Sequence, residues 1–135
     1  MNLSTPRAVL SVLVGFALVM IPAGALYSLT FIALDALFPD VGFTQASHST
    51  AAVAWRILTC LLCAAAAGSV TQKLSKQSRA TAALACVCLL CGIMGVDNSG
   101  LYHDTTTAVR LILASALALT IYASGRCTCL KGTLV

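Results

Sequence analysis

Four long apolar stretches divide the chain. They cover residues 8–34, 51–71, 80–96 and 105–123, each rich in Leu, Ala, Val and Ile and free of acidic residues. Runs of 18 or more apolar residues read as membrane helices, and the third, at 17 residues, stands at the short end of that range. The runs are continuous rather than alternating and are too long for barrel strands. The pattern predicts an all-α membrane protein, a single domain over residues 1–135 folded as an up-down four-helix transmembrane bundle.

Polar segments punctuate these runs. Residues 72–79 form a link carrying Lys73, Lys76 and Arg79, and residues 97–104 read Asp-Asn-Ser-Gly-Leu-Tyr-His-Asp, a turn rich in helix breakers. Residues 35–50 make the longest loop, whose Leu37, Phe38, Pro39, Val41 and Phe43 suit a membrane interface. Ser49 and Asp104 are expected N-caps of the second and fourth helices.

Charge sets an orientation. Arg7, Lys73, Lys76, Arg79, Arg126 and Lys131 fall on one side of the spans, while Asp35, Asp40, Asp97, Asp104 and both histidines fall on the other. The positive-inside rule then places both termini in the cytoplasm. Composition agrees with a membrane chain: 59% of its 135 residues are apolar and 9% are charged, against about 25% charged in an average soluble domain. The formal net charge of +4 implies contact with anionic lipid rather than nucleic acid, since no base-stacking aromatics accompany the basic residues.

The amino-terminal run has a second reading. Arg7, the apolar residues after it, Pro22 and Ala23-Gly24-Ala25 resemble a signal peptide with a small-residue cleavage site. The run continues to Leu34, which favours a retained helix. At 1.5 Å per residue such a helix is about 40 Å long, so tilt, a kink near Pro22 or a projecting end is expected.

Two arginines interrupt the spans. Arg56 lies in Ala54-Trp55-Arg56-Ile57-Leu58 and Arg110 in Ala108-Val109-Arg110-Leu111-Ile112, similar strings that hint at a hairpin repeat. Arg56 precedes Lys73 by 17 residues, about 25 Å of helix, which puts its guanidinium near the outer boundary. Arg110 stands in the same relation to Arg126. Three roles are open: snorkelling to headgroups with Trp55 as interfacial anchor, an ion pair with Asp35, Asp97 or Asp104, or a shared site for an anion or lipid headgroup.

The seven cysteines fall into three groups. Cys60 and Cys63 lie in the second helix, Cys86, Cys88 and Cys91 in the third, and Cys127 and Cys129 after the fourth. Spacing of three puts Cys60 with Cys63, and Cys88 with Cys91, on one face each. The short link suggests that helices two and three pack antiparallel, which would bring the two pairs to similar depth. Four thiolates there would suit a soft metal, and two a disulfide. Cysteine is also a small apolar residue suited to close helix contacts, as are 64–68 with their alanines and glycine. Cys127 and Cys129 fall on the reducing side, which favours free thiols.

No phosphate-binding loop, zinc-protease or serine-hydrolase motif occurs, and no carboxylate pair lies deep in a span. His48, His103 and Asp104 are weak outer-surface metal candidates.

Residues 53–126 resemble a loose group of small four-helix bacterial inner-membrane proteins. The likeness rests on the Ala54-Trp55-Arg56 opening of helix two, its small-residue middle, the basic link, a glycine-containing third helix, and Gly125-Arg126 at the end of the fourth. It implies a bundle in the bacterial inner membrane, and it carries no activity. Quinone-linked disulfide-forming membrane oxidoreductases are similar in having a C-x-x-C near the outer face, matched here by Cys60 and Cys63 beside Arg56. Their second cysteine pair, in an outer loop, has no counterpart in residues 35–50 or 97–104.

The expectation is a non-catalytic integral membrane protein without cofactor. It acts as an accessory, scaffolding or partner-binding subunit, associating with the lipid bilayer and with other membrane proteins or itself. Thiol-redox or soft-metal handling through Cys60, Cys63, Cys88 and Cys91, and a small oligomeric transporter or pore, are the alternatives.

Overall fold

A computed structural model describes residues 6–37, 50–95 and 106–132. Four helices account for nearly all of them: α1 (Pro6–Leu37), α2 (Thr50–Ser75), α3 (Ser78–Met94) and α4 (Thr107–Gly132). No strand occurs among the described residues. Within α1, α2 and α4, the segments Pro6–Ala33, Ala52–Ser75 and Thr107–Thr128 are long and apolar enough to cross a membrane. The 17 residues of α3 give about 26 Å of helix, somewhat less than a hydrocarbon core of about 30 Å. Ser49, His48, Asp97, His103 and Asp104 lie outside the described residues.

The helices run further than the apolar stretches that foretell them. Residues 72–75 continue α2, and only Lys76 and Gln77 link it to α3. The polar side chains here need no loop to be satisfied. Ser75 Oγ donates to Thr71 O (2.7 Å) and Thr81 Oγ1 donates to Gln72 Oε1 (2.9 Å). Lys76 then ends α2 in the left-handed region at φ 54°, with its N–H on Gln72 O at 2.9 Å, a turn that closes an orphan carbonyl of the last turn. Likewise α4 continues past residue 123 because Thr120, Ser124 and Thr128 return their hydroxyls to the carbonyls of Ala116, Ile121 and Ser124. At the far end of α3, Gly95 (φ 71°) donates its N–H to Cys91 O and Gly92 O.

Side-chain contacts give the relative directions. Arg7 Nε donates to Leu74 O (2.8 Å) at one end of the α1–α2 pair, and Trp55 Nε1 donates to Thr30 Oγ1 (3.1 Å) at the other, so these helices are antiparallel. Cys60 clusters with Ala114, and Gly68 meets Ile121 one turn and more further along, so α2 and α4 are parallel neighbours. Gly125 faces Thr81 and Gly95 faces Arg110, so α3 and α4 are antiparallel. Although the link between α2 and α3 is two residues long, α3 packs chiefly on α4 and only lightly on α1 and α2. The hairpin partnership expected of α2 and α3 is therefore a minor contact.

Small residues make the close approaches. A Cβ on Gly68 would overlap the Ile121 carbonyl, and one on Gly125 would come within 2.5 Å of Thr81 Cγ2. In lipid, where apolar surface gains nothing by leaving its solvent, such van der Waals fit is what holds helices together. Leu84 and Ile121, both fully buried, centre the main core with Val19, Ala64, Ala67, Ala85 and Cys88. Ala23, Cys60 and Ala114 form a second cluster. Outside, Leu10, Leu13, Ile21, Ile32, Leu62, Met94, Ile112 and Leu119 are all more than half exposed. That surface suits lipid rather than water.

Candidate functional site

Arg56 enters from the second turn of α2 and turns toward α1 rather than outward. Its Nη2 donates to the Tyr27 hydroxyl. Its Cζ lies 4.3 Å from the centre of the Tyr27 ring and 5.7 Å from that of Phe31. The two rings are four residues apart on α1 and meet edge to face, 4.6 Å between centroids. Four-residue spacing brings side chains onto one helical face, so α1 offers a ready aromatic bed at the level of Arg56. Nε is a fully buried atom, and the guanidinium as a whole is partly withdrawn from the surface. A cation over an aromatic face is attracted by the ring quadrupole, more strongly as water is removed.

Trp55, beside it, is about half exposed. Its indole N–H goes to Thr30 Oγ1, whose own hydroxyl returns to Leu26 O at 2.7 Å. The anchor expected at the interface is thus also a hydrogen-bonded tie between α1 and α2. A shallow cleft lies alongside, lined by Ala23, Tyr27, Trp55, Arg56, Thr59 and Cys60 and too tight for a water-sized sphere. It offers no chamber for a substrate.

Arg110 is one of the first residues of α4. Cys60 pairing with Ala114 sets an offset of 54 residues between α2 and α4, which brings Arg56 and Arg110 to about the same level. Arg110 reaches the end of α3, where its Nη1 lies 3.0 Å from where a Cβ of Gly95 would stand. Asp35 is exposed, two turns beyond Tyr27 on α1. Asp97 and Asp104, the other expected ion-pair partners, lie outside the described residues.

The cysteines divide between the two cores. Cys88 is buried in the main core, Cys60 in the second, with Cys63 packed against the latter and Cys91 partly exposed. All are free thiols, as are Cys86 and Cys127, both exposed. Among the described residues, no three of His, Cys, Asp and Glu are gathered so as to hold a metal ion. Because α3 turns to α4 instead of α2, Cys60 and Cys88 fill separate clusters rather than one shared site.

A second polar feature was not singled out in the sequence. Ser11, Thr71, Gln72, Ser75 and Thr81 are all buried at the opposite end of the bundle. Thr71 Oγ1 donates to Ser11 O (3.3 Å) and Ser11 Oγ to Ala8 O (2.8 Å), which completes a network across α1, α2 and α3. Its signal in the sequence is Thr71-Gln72 followed nine residues on by Thr81, but hydropathy alone reads these as link residues. Comparison of the chain with protein-family models, with curated proteins and with solved structures finds no match.

Proposed function

We propose that the chain is a non-catalytic integral membrane protein, an up-down four-helix bundle in a bacterial inner membrane with both termini cytoplasmic. It serves there as an accessory or scaffolding subunit that binds a membrane partner or a second copy of itself. One observation carries the reading: the interior is closed by Ala, Gly, Thr and Cys, while the outer surface is an almost continuous coat of Leu and Ile. A bundle so built presents surface and holds no reaction chamber. The alternation of helix directions and the segregation of Arg7, Lys73, Lys76, Arg79 and Arg126 from Asp35 support the orientation.

The test is detergent purification of the tagged full chain with mass spectrometry of what accompanies it. A stoichiometric membrane protein, or a defined homo-oligomer, is expected. A solitary monomer that turns over a thiol or quinone would refute the reading. Orientation is tested with a variant keeping Cys127 alone: a membrane-impermeant maleimide should label it in inside-out vesicles and spare it in intact cells. Labelling in intact cells would reverse the topology.

A further inference from the structure

The fold gathers basic residues that the sequence scatters. Arg7 opens α1, Lys73 and Lys76 close α2, Arg79 opens α3 and Arg126 lies near the end of α4, and all five are exposed. The contacts that place them at one end are direct. Arg7 Nε is held on Leu74 O, between Lys73 and Lys76 in sequence, and Gly125, next to Arg126, packs on Thr81, two residues from Arg79. The described acid, Asp35, is 28 residues from Arg7 along the same helix, about 42 Å away. No Asp or Glu occurs in residues 41–96 or 105–135, so no neighbour in the chain neutralises this end.

Apolar surface adjoins the cations directly. Leu10 and Leu13 are 61% and 60% exposed, one and two turns inward from Arg7, and Leu74 is 41% exposed beside Lys73. Leu10 is three residues from Arg7 and so shares its face of α1. Buried Ala8 and Ser11 turn the other way, with the Ser11 carbonyl accepting from Thr71 of α2. Cation above and leucine below, along one helix seam, match a phosphate headgroup above its acyl chains. A free phosphate would use the first half alone.

We infer that the α1–α2 seam at this end, with Arg7, Lys73 and Lys76 over Leu10 and Leu13, is a docking surface for an anionic phospholipid, with Arg79 and Arg126 extending the basic collar around the bundle. The inference rests on the membrane-spanning reading above. Its three cations come from two helices that Arg7 ties together, so a bound headgroup also bridges the end of the α1–α2 pair. Each basic residue near a membrane surface strengthens such binding about fivefold.

The experiment is native mass spectrometry of the full chain from detergent. Phosphatidylglycerol and phosphatidylcholine of matched chains are added at equal concentration, with 10 mM-scale inorganic phosphate (order of magnitude, well above usual headgroup occupancy) as a separate competitor arm. The expected result is retention of phosphatidylglycerol over phosphatidylcholine by roughly an order of magnitude, unchanged by phosphate. The variant K73Q/K76Q, which leaves the Arg7–Leu74 bond in place, should lose most of that preference while keeping wild-type helicity by circular dichroism. Equal retention of the two lipids, an undiminished preference in the variant, or displacement by inorganic phosphate would each overturn the proposal. A misfolded variant is covered by R79Q/R126Q, whose preference should fall less than that of K73Q/K76Q; an equal or greater fall would overturn the assignment to this seam. Failure of the membrane reading looks different, since the chain would then leave membranes without detergent.

Discussion

The Arg56 guanidinium stands 4.3 Å from the centre of the Tyr27 ring and donates a hydrogen bond to the hydroxyl of the same residue. A cation at the edge of a span is thereby held inside the α1–α2 seam. Replacing Tyr27 with Phe keeps the ring and removes the acceptor. A hydrogen bond to a charged group is worth about 1.5–3 kcal/mol and a cation–π contact about 0.5–2 kcal/mol. The expected order of melting temperature in detergent is wild type, Tyr27→Phe, Tyr27→Leu. A double-mutant cycle with Arg56→Met should give a coupling of about 1–2 kcal/mol; additive losses would show that the two residues stabilise independently.

Gly68 is the most constrained of the close approaches, because the atom that a Cβ would meet is the Ile121 backbone carbonyl rather than a mobile side chain. Gly68→Ala should destabilise the bundle by about 1–3 kcal/mol, as overpacking does. It should do so even though alanine is the better helix former. Ala66, exposed on the same helix, is the control. Ala66→Leu should leave the thermal transition within a degree or two, and comparable losses at the two positions would argue against the α2–α4 contact.

Thr81 separates a hydroxyl effect from a packing effect. Its Oγ1 donates to Gln72 Oε1 while its methyl lies against Gly125. Thr81→Val leaves a buried amide oxygen without its donor, which costs about 1–3 kcal/mol. Thr81→Ser keeps the donor and should retain most of the stability. Denaturation in mixed detergent micelles followed by circular dichroism distinguishes these, and a Ser variant as weak as the Val variant would place the effect in the methyl contact instead.

Thiol reactivity should follow position in the two cores. In detergent, Cys127, exposed on the last turns of α4, is expected to react first with N-ethylmaleimide, and buried Cys60 and Cys88 last. Peptide mass spectrometry over a time course gives the order. Rapid, paired modification of Cys60 and Cys88 would require an opening of both cores that the packing does not provide.

The placement of Arg56 shows what hydropathy can and cannot carry. Its depth followed from counting residues to Lys73, and Tyr27 stands at a matching distance from Arg7. The expected ion pair or free snorkelling overlooked the aromatic pair four residues apart on α1, since both rings read simply as span residues. The cysteine pairs were placed at the right depth along their helices, yet the assumption that a short link makes α2 and α3 close partners joined them wrongly in space. A two-residue link limits only the ends of two helices, while the packing of their bodies depends on where Gly68, Gly125 and Thr81 allow backbones to approach.

The sequence by itself determined the helical class, the number and approximate extent of the apolar segments, and the sorting of bases from acids. These depend on composition summed over a window or on distance along the chain, both of which are local. Only the tertiary structure decided that α4 lies between α2 and α3, that residues 71–81 form a buried polar network, and that five dispersed cations share one end. The physical reason is that these helices are apolar on every side. No polar stripe marks an inward face, so the choice of neighbour falls to shape, to small residues and to a few hydrogen bonds whose partners lie up to 67 positions apart.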